Sequence, residues 1–210
     1  MASLTDDMRA ATRPAHTVST GLVSVKLLIA LTSNALYGRS LLLFYFVYAD
    51  NIAKDLKFYL GEDWSDKHKP TAAAEAYVKH LKELEKTNPT LLLAYFYHMY
   101  TALLVGGQMM RKFVKKSFEP PAGEGLNIFD FGSKSKMALR SALKDTVNAV
   151  ECDAATRQQL LAESLKCFEM NNQIVRSIDG AVRQLASWVL KWVVALFLVY
   201  LTYVTFVRGT

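Results

Sequence analysis

The chain has 210 residues, 51% of them hydrophobic, and a formal net charge of +6. That length suits one domain with an appendage. The basic residues are scattered among acids rather than gathered into a stripe, which argues against nucleic acid as a partner. Cys152 and Cys167 have neither metal-ligand nor redox-pair spacing, and Cys167 reads as a packed, reduced thiol.

The opening residues lack the charged start and apolar core of a signal peptide. Ser3 followed by Asp6 is a capping pattern, and it predicts a first helix to about Ala15. Residues 22–32 and 38–60 read as two further apolar helices. The run 41–49 inside the second is too short to span a bilayer and reads as buried helix core. Pro70 opens a more polar amphipathic helix with Tyr77, Leu81 and Leu84 on one face. Asn88-Pro89 starts an apolar, aromatic segment that runs to about Phe118 and is interrupted by Gly106-Gly107. Each glycine costs roughly 1 kcal/mol against Ala inside a helix, so a pair implies a bend or a close approach to something flat. A loop follows from Pro120-Pro121 to Gly125, then helices over 133–150 and 153–179, the second capped by Asp153. Gly180 breaks the chain again. No stretch alternates with period two, so the expected class is all-α without a sheet.

The end of the chain is apolar all round. Residues 192–207 carry no charge, and counted from Trp188 the run is about 20 residues, roughly 30 Å as a helix and the thickness of a bilayer core. Lys191 can snorkel to headgroups, and Trp188, Trp192 and Tyr203 suit the interfaces. The expectation is a helical domain over 1–185 and a tail anchor over 186–210, with the domain facing the cytosol.

Several motifs, in order, resemble the heme oxygenases. They are R-A-A-T-R-P-A-H-T at 9–17, Y-H-M-Y-T-A-L-L-V-G-G-Q at 97–108, G-E-G-L-N-I-F-D-F at 123–131, N-A-V-E-C-D-A-A-T-R-Q-Q-L-L-A-E-S at 148–164 and F-E-M-N-N-Q-I-V at 168–175. The resemblance implies the family's helical fold, with heme b as substrate and cofactor, O2, and electrons from NADPH through a membrane-bound cytochrome P450 reductase. The products would be biliverdin, CO and iron, with biliverdin reductase as a further partner and the endoplasmic reticulum membrane as location. It also implies His16 as the proximal iron ligand and Gly106 and Gly107 as the bent distal backbone over the heme. Arg9, Arg13, Arg140 and Lys144 would be partners of the propionates, with Tyr100 offering a hydroxyl. His68 and His80 read as solvated, and His98 as packed or hydrogen-bonded.

The chain departs from the family pattern in four places. The distal segment is about three residues shorter than expected and lacks its Asp. Thr20 stands where an acidic residue would orient the imidazole. Pro14 precedes His16 by two residues, where it cannot donate a helical hydrogen bond. About 25 residues are absent between two early helices, so that Tyr48 runs almost directly into Ile52. Two other readings therefore stand beside the oxygenase: a heme-binding relative with little turnover, acting as sensor or carrier, and a membrane-tethered helical interaction protein without cofactor.

Overall fold

The computed structural model describes residues 3–30, 32–33, 37, 49–132, 135–178 and 180–208. Among these the regular structure is helix, with no strand. The elements are α1 (Leu4–Ala30), α2 (Ala49–Leu60), the short α3 (Trp64–Lys67), α4 (Ala72–Thr87), a 3-10 turn (Pro89–Leu91), α5 (Leu92–Val105), α6 (Gly107–Phe118), a second 3-10 turn (Asn127–Phe129), α7 (Lys136–Asn148), α8 (Ala154–Arg176) and α9 (Ala181–Arg208). The chain divides into two compact units, 1–178 and 179–210.

In the first unit α8 is the central element, packed by α1, α5 and α4. Met8 of α1, Leu56 of α2, Tyr77 of α4, and Leu160 and Ile174 of α8 are fully buried. The caps follow the sequence. Ser3 Oγ accepts from Asp6 N (3.2 Å) and donates to the Asp6 carboxylate (2.6 Å). Asp153 accepts from Thr156 N at 2.7 Å at the start of α8. Thr71 accepts from Ala74 N and caps α4, so that helix begins just after Pro70 rather than at it.

The first helix does not end at Ala15. α1 runs unbroken through Pro14 and absorbs the helix expected over 22–32. A proline inside a helix costs about 3 kcal/mol or more, because it removes one backbone bond and crowds the preceding turn. Pro14 is on the exposed side, and the other side of α1 is held on α8 at several points. Ser19 Oγ donates to Asn172 Oδ1 at 2.7 Å, and Lys26 Nζ donates to the carbonyls of Arg176 and Ile178 at 3.1 and 3.3 Å. A cation at the C-terminal carbonyls of α8 is also favoured by the helix dipole. Packing on α8 overrides the local signal to stop.

Of the expected helix over 38–60, the described part is α2; the run 41–49 and the approach to it through Tyr48 lie almost wholly outside the described residues. The buried Asp55 of α2 accepts from the backbone N–H of Asn127 (2.9 Å) and Ile128 (2.8 Å) and from Asn127 Nδ2 (2.8 Å). These three bonds pin the second 3-10 turn, and Phe129 with it, against the core. Both cysteines are free; Cys167 is buried and Cys152 partly so. Burial pushes the Cys167 thiol up to about 12.

The second unit holds α9, whose apolar side chains from Leu185 to Val207 are largely exposed. Residues Arg183–Val207 are long and apolar enough to cross a membrane. The expected boundary at 185–186 falls inside α9, a few residues past the division after Ile178.

Candidate functional site

Helical phase organises the site. On α1, Arg9, Arg13, His16 and Thr20 are spaced by four, three and four residues, so they form one strip beside the buried face. All four are exposed. Ser19, one turn after His16, is tied to Asn172 of α8, which fixes this part of α1 against its neighbour. The His16 ring meets the edge of Phe168 of α8 at 5.8 Å between centroids. Phe168 also meets His98 of α5, at 5.1 Å. Three helices thus converge on one phenyl ring, with an exposed imidazole on one side and a buried one on the other.

His98 is 7% exposed and its Nε2 has no partner. Burial, and then the charge of a protonated His16, push its pKa down to about 4, so it is neutral at physiological pH. His98 is packed, as its aromatic neighbours suggested. Beyond it on the same helical face come Ala102, Val105, Gly106, Met109 and Phe113. All five are exposed, and the large ones strongly so: Val105 52%, Met109 58% and Phe113 40%. An apolar face left open in this way is a candidate binding surface.

α5 and α6 meet at Gly106 with a bend of 49°. The two glycines do different things. Gly106 is exposed on the open face, and a Cβ there would meet only the Ala102 carbonyl oxygen, at 3.2 Å. Gly107 is buried, and a Cβ there would stand 3.2 Å from Phe129 Cδ1. So Gly106 alone of the pair lies on the open side; Gly107 makes room for the pinned phenyl ring.

The basic candidates fall into two neighbouring strips. Lys144 of α7 pairs with Asp6 of α1 at 3.3 Å, and Arg9 is close enough to add to the lowering of the Asp6 carboxyl, which follows chiefly from its bonds to Ser3 and Lys144. Arg13 is one turn beyond Arg9, and Arg140 one turn before Lys144. The structure thus brings Arg9 and Lys144 together at the start of α1, with Arg13 and Arg140 extending the cationic edge. Tyr100 is not brought to this side. Two residues past His98 it points away around the helix, 42% exposed, with its ring 4.8 Å from Phe96.

His80 is not solvated, contrary to its polar sequence context. Its Nε2 lies 2.8 Å from Glu163 Oε2, which also accepts from the Tyr95 hydroxyl at 2.7 Å. Burial, and then the bond to Glu163, push the Tyr95 hydroxyl well up. This cluster joins α4, α5 and α8. Gln108 is turned toward α7, where Lys136 donates to its Oε1. Between His98 and Phe113 the chain has no carboxylate, and Leu103 is half-buried. Phe168 and Ser19 were not singled out as site residues in the sequence; Phe168 opens the motif at 168–175, which was the available signal.

The first unit is all-helical and carries an exposed histidine, an apolar face left open and basic residues near the start of α1. The heme oxygenase family model matches residues 46–177, and the chain belongs to the heme oxygenase family. That match starts after α1 and so does not include His16. The heme oxygenase of Takifugu rubripes is 34% identical over 129 residues, covering 61% of this chain and 47% of the relative. The chain spans about half the length of the first curated relatives it matches. Heme oxygenase 2 from Chlamydomonas reinhardtii, solved without heme, superposes with a TM-score of 0.79 at 28% identity, covering 84% of this chain and 98% of that one. Heme oxygenase-1 from Synechocystis, solved with heme, superposes with a TM-score of 0.82 at 22% identity, over 91% and 100% of the two chains, which speaks for the fold.

The residues present fit heme. His16 offers a nitrogen ligand, the exposed face from Ala102 to Phe113 offers apolar cover, and Arg9 and Lys144 stand near each other with Arg13 and Arg140 one turn further along their helices.

Proposed function

We propose that this protein is a heme oxygenase that opens heme to biliverdin, CO and iron, using O2 and electrons from NADPH through a cytochrome P450 reductase. When bound, heme supplies the iron that takes up oxygen and is itself the molecule oxidised. The chain supplies the rest. His16 would hold the iron through a ring nitrogen. Gly106, without a Cβ, would let the ring come close to the α5–α6 backbone. Val105, Met109 and Phe113 would exclude water from the porphyrin. Arg9, Arg13, Arg140 and Lys144 would pair with the propionates. The observation that carries this reading is the placement of His16: it is exposed, and its ring meets Phe168, which also meets His98 on the helix that leads to the exposed Val105.

We place the protein on the endoplasmic reticulum membrane through α9, with the first unit in the cytosol, where a reductase and biliverdin reductase can reach it. A second reading, a heme-binding relative with little turnover, is favoured by the lack of any carboxylate between His98 and Phe113. Proton delivery on that side then rests on solvent, and slow turnover to mixed bilin isomers follows.

Hemin titration followed by NADPH and reductase tests the reading. The expected result is a histidine-ligated Soret band and extractable bilin. His16→Ala should abolish that band, and added imidazole should partly restore it. An unchanged spectrum and affinity in His16→Ala would rule out the ligand. A normal spectrum with no bilin would select the binding-only reading.

A further inference from the structure

Thr20, one helical turn after His16, reaches both its backbone and its ring. Thr20 Oγ1 donates its one proton to the His16 backbone carbonyl, at 2.8 Å. The same oxygen lies 3.4 Å from His16 Nδ1. A hydroxyl has a single O–H and two lone pairs, so once that proton is committed the oxygen can only accept. Nδ1 must therefore be the protonated nitrogen if this contact is a hydrogen bond, and the lone pair is then on Nε2. The backbone bond is intrahelical, from one turn to the next, and β-branching restricts the Thr side chain to few rotamers, so the acceptor is held in place.

We propose that Thr20 is a positioning residue: it sets the His16 tautomer with its proton on Nδ1 and so presents Nε2 as the ligating atom, with a neutral acceptor in place of a carboxylate. This rests on the reading of His16 as the iron ligand, but the tautomer is a property of the protein without heme. It opposes the intrinsic preference, because a free neutral histidine side chain in water carries its proton mostly on Nε2. A neutral acceptor also withdraws less of the Nδ1 proton than a carboxylate would. The ring donates less strongly to iron, and the ferric state is less favoured than it would be with an acid at this position.

Two measurements decide it. In the apoprotein at pH 8, the nitrogen chemical shifts of His16 report the tautomer. The wild type and Thr20→Ser should show the proton on Nδ1. Thr20→Val, equal in shape and β-branched but without the hydroxyl, should revert to the proton on Nε2. After hemin loading, Thr20→Glu should move the ferric/ferrous midpoint potential to a more negative value than wild type, while Thr20→Ser should leave it in place. A wild type with the proton on Nε2, or a Thr20→Val variant with an unchanged tautomer, would overturn the proposal. So would a Thr20→Glu variant with an unchanged potential. Failure of hemin to bind His16 would instead sink the ligand reading and leave the apoprotein result to be judged alone.

Discussion

Gly106 and Gly107 are adjacent in sequence, and substituting each by Ala should give opposite results. A methyl at Gly107 would stand 3.2 Å from Phe129 Cδ1 and 3.6 Å from Cε1. Phe129 is 4% exposed, and its turn is pinned by the three bonds to Asp55, so the ring has little freedom to retreat. Overpacking of this kind costs about 1–3 kcal/mol, against about 1 kcal/mol regained from helix propensity. The net loss is up to about 2 kcal/mol, a fall in Tm of up to roughly 8 °C at about 2–4 °C per kcal/mol. A methyl at Gly106 meets only the Ala102 carbonyl, the i−4 oxygen beside which every helical Cβ stands. Gly106→Ala should therefore keep the Tm of the apoprotein or raise it by about 2–4 °C. The same methyl projects onto the open face, where it would hold a flat ligand off the backbone. A cost of about 1.4 kcal/mol or more there weakens hemin binding roughly tenfold or more. Circular-dichroism melting of the apoprotein and hemin titration separate the two effects. A stable Gly107→Ala together with a destabilised Gly106→Ala that binds hemin normally would refute the assignment of faces.

Two further outcomes follow from the same structure. The His98 pKa, lowered from 6.5 to about 4 chiefly by burial, makes the unfolded chain the stronger proton binder between those values. Stability should be complete above pH 6.5 and fall by up to about 3 kcal/mol as the pH drops toward 4, at about 1.4 kcal/mol per pH unit. His98→Leu should remove that part of the pH dependence in urea titrations; an equally steep acid loss in the variant would show that another group is responsible. Ending the chain at Leu185 removes most of α9 and leaves every candidate site residue in place. The shortened protein should leave carbonate-washed membranes and bind hemin as the full chain does; retention with the membranes would assign the attachment to the first unit.

The fold was readable wherever a local rule had no tertiary competitor. Ser3 and Asp153 cap because their side chains reach N–H groups three residues on, a matter of sequence distance alone. The bend between α5 and α6 was legible because a glycine pair in an apolar helix has few other uses. The rule failed at Pro14. The cost of that proline is local, but Ser19–Asn172 and the Lys26 clamp join residues some 150 positions apart, and no window of sequence contains both ends of either contact. His80 was misread for the same reason. Its neighbours in sequence are polar, but the group that binds it, Glu163, is on another helix.

The site was legible as a set of residues but not as a set of directions. Motif position nominates Gly106, Gly107 and Tyr100 equally, because all three lie within one short stretch of helix. Phase then divides them. Tyr100, two residues from His98, is rotated to the far side of α5; Gly106, eight residues from His98, returns to the same side; Gly107 faces Phe129. Which side is the open one cannot be read from the period itself. It is fixed by Phe168, which arrives from α8 to touch both His16 and His98 and so tells which face of α5 looks toward the strip of α1 that carries His16. The substitution at position 20 obeys the same logic. A threonine where the resemblance implies an acid reads in sequence as a lost partner. In the proposal above, the hydroxyl's bond to the His16 carbonyl is what leaves it an acceptor for the ring, and that bond exists only because α1 runs as a helix through position 20.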